Sequence, residues 1–276
     1  MLIVQLQMKR NRIVFFLLFI ACVVTGCKQP SPPPPPPVEH AGWLIIPENK
    51  VWAHRVNDTV TAQLKEQLFG GLEFDLVFSP TQHELFVCHD DDDTLKQLTL
   101  HQYLAAIKHP EQLSFWLDIK NLNIWTADEV SLLVKEELEH YGIVDRAFIE
   151  NPNSRTLQKV KEHKLHTSLW VDNFYWQDID TASWVEKVTS QIERAHPDAI
   201  SCEYRMFGAL TQFFYDQNIF LWHTPADLTL ENAELTLMLC EHSSVKVVLV
   251  DYDKPLTPWT MFTLKVRRFF SGPSKS

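Results

Sequence analysis

From residue 50 onward, short apolar runs of strand length alternate with longer stretches whose apolar residues recur every three or four positions. The short runs are KVWAHR (50–55), GLEFDLVF (71–78), ELFVCHD (84–90), SFWLDIK (114–120), RAFIE (146–150), TSLWVD (167–172), DAISCEY (198–204), NIFLWHT (218–224) and VKVVLVD (245–251). The longer stretches read as amphipathic helices. In TADEVSLLVKEELEHYG (126–142), Val130, Leu133, Val134 and Leu138 fall on one face, Thr126 is placed to cap with Glu129 three residues on, and Gly142 marks the end. SRTLQKVKEHK (154–164), DTASWVEKVTSQIERA (180–195) and MFGALTQFFYDQ (206–217) follow the same period. If ELFVCHD pairs back on GLEFDLVF as a hairpin, eight strands remain for a parallel set with helical crossovers. That predicts a (β/α)8 TIM barrel over residues 42–276, with its site at the C-terminal strand ends. A doubly wound sheet would carry a Gly-rich phosphate turn, and none is present.

The run GLEFDLVF breaks the apolar rule, because Glu73 and Asp75 share one strand face while Leu72, Phe74 and Leu76 share the other. Two adjacent acids suit a solvated edge face, unless something positive lies between them. Other charged residues gather at equivalent places: His54 and Arg55 end the first run, His89 and Asp90 the hairpin, and Asp118 and Lys120 the next strand. Packing alone does not call for so many charges on three consecutive strands.

The N-terminus supplies an address. Lys9, Arg10 and Arg12 precede the apolar run IVFFLLFIACVV and then VTGC (24–27), the pattern of a lipoprotein signal peptide over residues 1–26 with Cys27 as the lipidated residue. Lys28, where an Asp would retain the protein at the inner membrane, points to the outer membrane of a bacterial envelope, facing the periplasm. The proline tract within residues 27–41 reads as an extended stalk.

The chain has 25 Lys and Arg against 35 Asp and Glu, a net charge of −10, so nucleic acid is an unsuitable partner. Cys88, Cys202 and Cys240 lie in or beside apolar runs without C-x-x-C spacing, which argues for thiols and against zinc.

HR at 54–55, EFD at 73–75, HD at 89–90 and DIK at 118–120 together resemble the glycerophosphodiester phosphodiesterases, of the phospholipase-C-like barrel group. FIENPNSRTLQKVK, ISCEY, LWHT and VLVDYDKP are similar to later family segments, so the likeness spans residues 50–255. WAHRVN, EFDL and LDIK also share the flavour of the animal menorins. The resemblance implies that Glu73, Asp75 and Asp118 hold one divalent cation, Mg²⁺ or Ca²⁺. It implies Arg55 and Lys120 as phosphate clamps, His54 and His89 as acid and base in unassigned order, and Asp90 and Trp222 as pocket residues. The implied partner is a phosphodiester small molecule or lipid headgroup, handled by a monomer. Three departures stand out: Val56 where the family has Gly, NDT at 57–59 for Pro-Glu-Asn-Thr, and Asp118 for Glu. They leave a degenerate barrel that binds a phosphorylated ligand or envelope partner as the alternative.

Overall fold

The computed structural model describes residues 46, 48–89, 98–174, 179–225 and 227–271. The signal segment, Cys27, the stalk and Asp90 lie outside the described residues.

All nine runs form strands: β1 Val51–Ala53, β2 Gly71–Ser79, β3 Glu84–Val87, β4 Ser114–Ile119, β5 Ala147–Asn151, β6 His166–Trp170, β7 Ala199–Glu203, β8 Ile219–Trp222 and β9 Val245–Val250. Strands β1, β2 and β4 to β9 are parallel in sequence order, and β1 pairs with both β9 and β2, closing a barrel of eight. Outside it, β3 lies antiparallel on the extended end of β2, as the hairpin reading expects. The helices are α1 Thr59–Lys65, α2 Leu100–Ala106, α3 Ala127–His140, α4 Ser154–Glu162, α5 Thr181–Ala195, α6 Phe207–Phe213, α7 Leu230–Glu241 and α8 Pro258–Ser271. Among the described residues no helix is long and apolar enough to cross a membrane.

Strand alternation sorts the core into two layers. Phe74, Phe115, Leu117 and Ile149 pack outward with helix residues such as Val130, Val134 and Trp184. Their neighbours Trp52, Trp116, Phe148 and Phe220 point inward, with Phe148 and Phe220 ring centroids 4.6 Å apart and Trp116 and Phe220 5.7 Å apart. This aromatic plug packs the barrel interior beneath the mouth cavity that Trp116 also lines. The plug also explains why glycine opens β2: a Cβ at Gly71 would come 2.5 Å from the Trp52 ring and 2.6 Å from the Ser114 carbonyl oxygen.

Two local expectations differ. Thr126 stands at the N-cap of α3, but its hydroxyl accepts the Asn123 N–H at 3.1 Å and makes no cap bond. Glu129 instead accepts from His83 Nδ1 at 2.6 Å, so the tie to the β2–β3 turn replaces the capping box. A capping box does form at α2, between Thr99 and Gln102. The run 206–217 is helical only as far as Phe213, since Phe214 leaves helical geometry and buries its ring against Trp184.

At the N-terminal strand ends, Asp198 accepts from Lys161 Nζ at 2.9 Å and from the Thr167 N–H at 2.8 Å, with His166 Nδ1 3.3 Å away. Burial works against this carboxylate, but the His166 bond and Lys161 outweigh it and hold its pKa at about 2.

Candidate active site at the barrel mouth

The first turn after β1 builds one wall. Arg55 takes a left-handed conformation, φ 52°, which aims its N–H at Glu73 Oε2, 2.6 Å away. Val56 N–H then donates to the Glu73 carbonyl at 2.8 Å, and its own carbonyl accepts from Tyr103 Oη at 2.8 Å. Position 56 does not carry the positive φ, and the Val56 side chain is fully buried in the outer core. Valine there is a packing residue of the outer core and is not among the residues lining the cavity.

Asn57 follows and makes two bonds with one residue: its Nδ2 donates to Asp75 Oδ2 at 2.6 Å, and its Oδ1 accepts the Asp75 N–H at 2.9 Å. Asp75 and Asp118 stand opposite one another in the β2–β4 register. One carboxylate oxygen each from Glu73, Asp75 and Asp118 lies within 4.8 Å of the others, so the shorter Asp118 side chain still reaches the cluster. Glu73 and Asp75 are 3% and 1% exposed, which removes the reading of a solvated strand face.

Lys120, just beyond β4, places Nζ 2.6 Å from Asp75 Oδ1 and 2.6 Å from Asp118 Oδ2. Burial opposes its charge, but attraction to Asp118 and the two bonds prevail, so the ammonium is held above its ordinary pKa. One ammonium among three carboxylates leaves an excess of negative charge. Burial first, then the neighbouring Asp75 charge, pushes the Glu73 pKa well up, against the stabilising Arg55 N–H. A hard divalent cation would meet that deficit, and the all-oxygen donor set fits Mg²⁺ or Ca²⁺.

His54 faces the same space. Its Nδ1 donates to Asp251 Oδ1 at 2.7 Å and its Nε2 lies 3.8 Å from Glu73 Oε2. Opposite, Glu150 accepts from Ser201 Oγ, and burial followed by the Asp118 charge raises its pKa to about 8. Trp170 and Trp222, with centroids 6.2 Å apart, form the upper aromatic wall. The cavity, about 270 Å³, is lined by His54, Glu150, Trp170 and Trp222 together with the three carboxylates, Trp116, Arg55 and Lys120.

Six of the residues named from sequence therefore meet around one cavity, and Trp222 joins them. His89 is exposed and is not among the lining residues, although the Cys88 N–H bond to the Asp75 carbonyl, 3.1 Å, sets it beside β2. No disulfide joins Cys88, Cys202 and Cys240. Sequence reading missed Asn57, Glu150, Trp170 and Asp251. Glu150 and Asp251 had a signal, a carboxylate at the C-terminal end of a barrel strand. Asn57 had none, since its role depends on a turn that brings it across to β2.

A closed parallel barrel with charged side chains crowded at the C-terminal mouth is a TIM barrel carrying a polar site in the position where such barrels act. The fold is that of the glycerophosphodiester phosphodiesterases. The chain is similar to a glycerophosphodiester phosphodiesterase from Parabacteroides distasonis at TM-score 0.56 and 16% identity, covering 79% of this chain and 97% of that one. It is equally similar to an Oleispira antarctica phosphodiesterase in complex with the product sn-glycerol-3-phosphate, at TM-score 0.57 and 16% identity, covering 80% and 97%. A second Parabacteroides distasonis glycerophosphoryl diester phosphodiesterase superimposes at TM-score 0.53 and 11% identity, covering 85% and 91%. No protein-family profile and no curated protein sequence matches the chain.

Proposed function

We propose that the chain is a metal-dependent phosphoric diester hydrolase, acting on a glycerophosphodiester or phospholipid headgroup and tethered to the bacterial envelope through Cys27. The observation that carries this reading is the meeting of three carboxylates, a lysine, an arginine and a carboxylate-held histidine in one cavity at the barrel mouth. Glu73, Asp75 and Asp118 would hold a divalent ion, which when bound would supply Lewis-acid stabilisation of charge on a phosphoryl oxygen. Arg55 grips a second oxygen with its fork of donors, and Lys120 adds a compact positive charge. His54 moves a proton at Nε2, because Asp251 occupies Nδ1. His89 is assigned the complementary proton transfer at the leaving or attacking oxygen.

The test is release of p-nitrophenolate from bis(p-nitrophenyl) phosphate, and of glycerol phosphate from glycerophosphodiesters, with and without EDTA. Turnover that EDTA abolishes and Mg²⁺ or Ca²⁺ restores is the expected result; no turnover of any diester with either ion overturns the reading. A cyclic phosphate product would show that a substrate hydroxyl, rather than water, attacks first. The second reading, a barrel that binds a phosphorylated ligand without cleaving it, draws on the position of His89 outside the cavity lining. It predicts binding of sn-glycerol-3-phosphate without diester turnover.

A further inference from the structure

We infer that α8 is a docking helix that lays an apolar stripe on an anionic lipid surface. Trp259, Phe262, Val266 and Phe269 are 73%, 56%, 36% and 83% exposed. At the helical period these four positions share about 80° of arc. The Trp259 and Phe262 rings stack with centroids 5.5 Å apart at 27°. The opposite face is satisfied by the protein, where Leu264 joins Leu230 and Ala233, with Met261 packed beside them. Trp259, Phe262 and Val266 therefore face away from the packed side of α8, and aromatic residues of this kind favour the boundary between water and lipid.

Charge names the occupant. The chain as a whole is acidic, at −10, yet residues 258–271 contain Lys265, Arg267 and Arg268 and no acid. Lys265 and Arg267 are exposed. On the helical wheel they fall on opposite sides of the stripe. Cations flanking an apolar stripe suit a surface that is apolar within and negative at its boundary, which describes an anionic bilayer. Trp259 and Arg267 also line a cavity of about 400 Å³ together with Asp227, Asp253 and Lys254. These three belong to segments that follow β8 and β9, so α8 starts at the same end of the barrel as the candidate site. Neighbouring α1, which follows β1, adds exposed Val60 and Leu64, and Lys65 Nζ lies 3.9 Å from Asp253 Oδ1. The docking surface is built from residues outside the candidate site, so the inference does not rest on the phosphodiesterase reading.

The test uses the full chain and vesicles whose acyl chains carry bromine, a short-range quencher of indole fluorescence. Wild type and Trp259→Phe are compared on phosphatidylglycerol-containing and on pure phosphatidylcholine vesicles, so that the difference isolates Trp259 from the other indoles and from any binding by the N-terminal segment. The expected result is a Trp259-dependent quenching on anionic vesicles that is weaker on neutral ones. Lys265→Glu with Arg267→Glu should weaken that binding by about tenfold or more, with an unchanged melting temperature as the control for folding. Equal quenching of wild type and Trp259→Phe on anionic vesicles overturns the inference, and would mean that the N-terminal segment, a second copy or another protein covers the stripe. Quenching that is indifferent to lipid charge and to the two reversals also overturns it.

Discussion

The Asp251 carboxylate accepts a 2.7 Å bond from His54 Nδ1, and this decides which ring nitrogen is left for the cavity. With Nδ1 occupied, Nε2 is directed to the side where Glu73 lies, 3.8 Å away. Asp251→Asn should keep the fold but offer an amide that orients the His54 ring less firmly, lowering turnover on the order of 10²-fold. Unchanged turnover would make the pair structural. Asn57 would act on the proposed cation site in the same indirect way, since its paired bonds fix the Asp75 carboxylate. Asn57→Ala should weaken Mg²⁺ or Ca²⁺ binding by about 10- to 100-fold in calorimetry, while Glu73→Gln should weaken it more, because it removes a ligand. Equal affinity in wild type and Asn57→Ala would detach Asn57 from the site.

Among the elements, β2 carries the heaviest constraints, with helices on one side, the aromatic plug on the other and the acids at its centre. Gly71→Ala would drive a methyl into Trp52 and the Ser114 carbonyl, neither of which can retreat without opening the β1–β2 or β2–β4 seam. A loss of about 1–3 kcal/mol is expected in denaturant titration, and a variant as stable as wild type would contradict the packing described. The loop before β7 makes an independent prediction. Asp198 has a pKa of about 2 against an ordinary 3.8. A depressed carboxylate stabilises the fold fully above its unfolded pKa, and that contribution fades as pH falls from about 4 through about 2. Asp198→Asn should therefore cost about 2 kcal/mol at neutral pH. The gap from wild type should close across that acid window; a constant gap would place the cost in hydrogen bonding alone.

For the whole molecule, closure matters more than any one strand, because β1 contributes only three residues yet pairs on both sides. The mouth geometry is held by that seam, while the aromatic plug supplies a core that contains none of the candidate cation ligands. EDTA should accordingly abolish the proposed activity while lowering the melting temperature by no more than a few degrees, the shift expected of a ligand that binds only the native state. A collapse of the fold on chelation would make the cation structural. The proposed tether is separate again: Cys27→Ser should abolish lipid processing and move the protein out of the detergent phase with the melting curve of the barrel unaltered. Unchanged partitioning would refute Cys27 as the lipidated residue.

Strand and helix order were legible because each rests on local periodicity: nine apolar runs became nine strands, and Glu73, Asp75, Asp118, Arg55, Lys120 and His54 could be picked out as charges that no core position would choose. The sequence order of those residues, matched to a family pattern, was enough to place them together at one end. What the tertiary structure alone decided are the relations across the barrel: Asn57 reaching over to Asp75, Asp251 on β9's end capturing His54 on β1's, and Glu150 entering the cavity beside Asp118. These pairs are up to 197 positions apart in the chain. A strand's pattern states which residues share its face; which other strand stands opposite is settled only when the sheet closes.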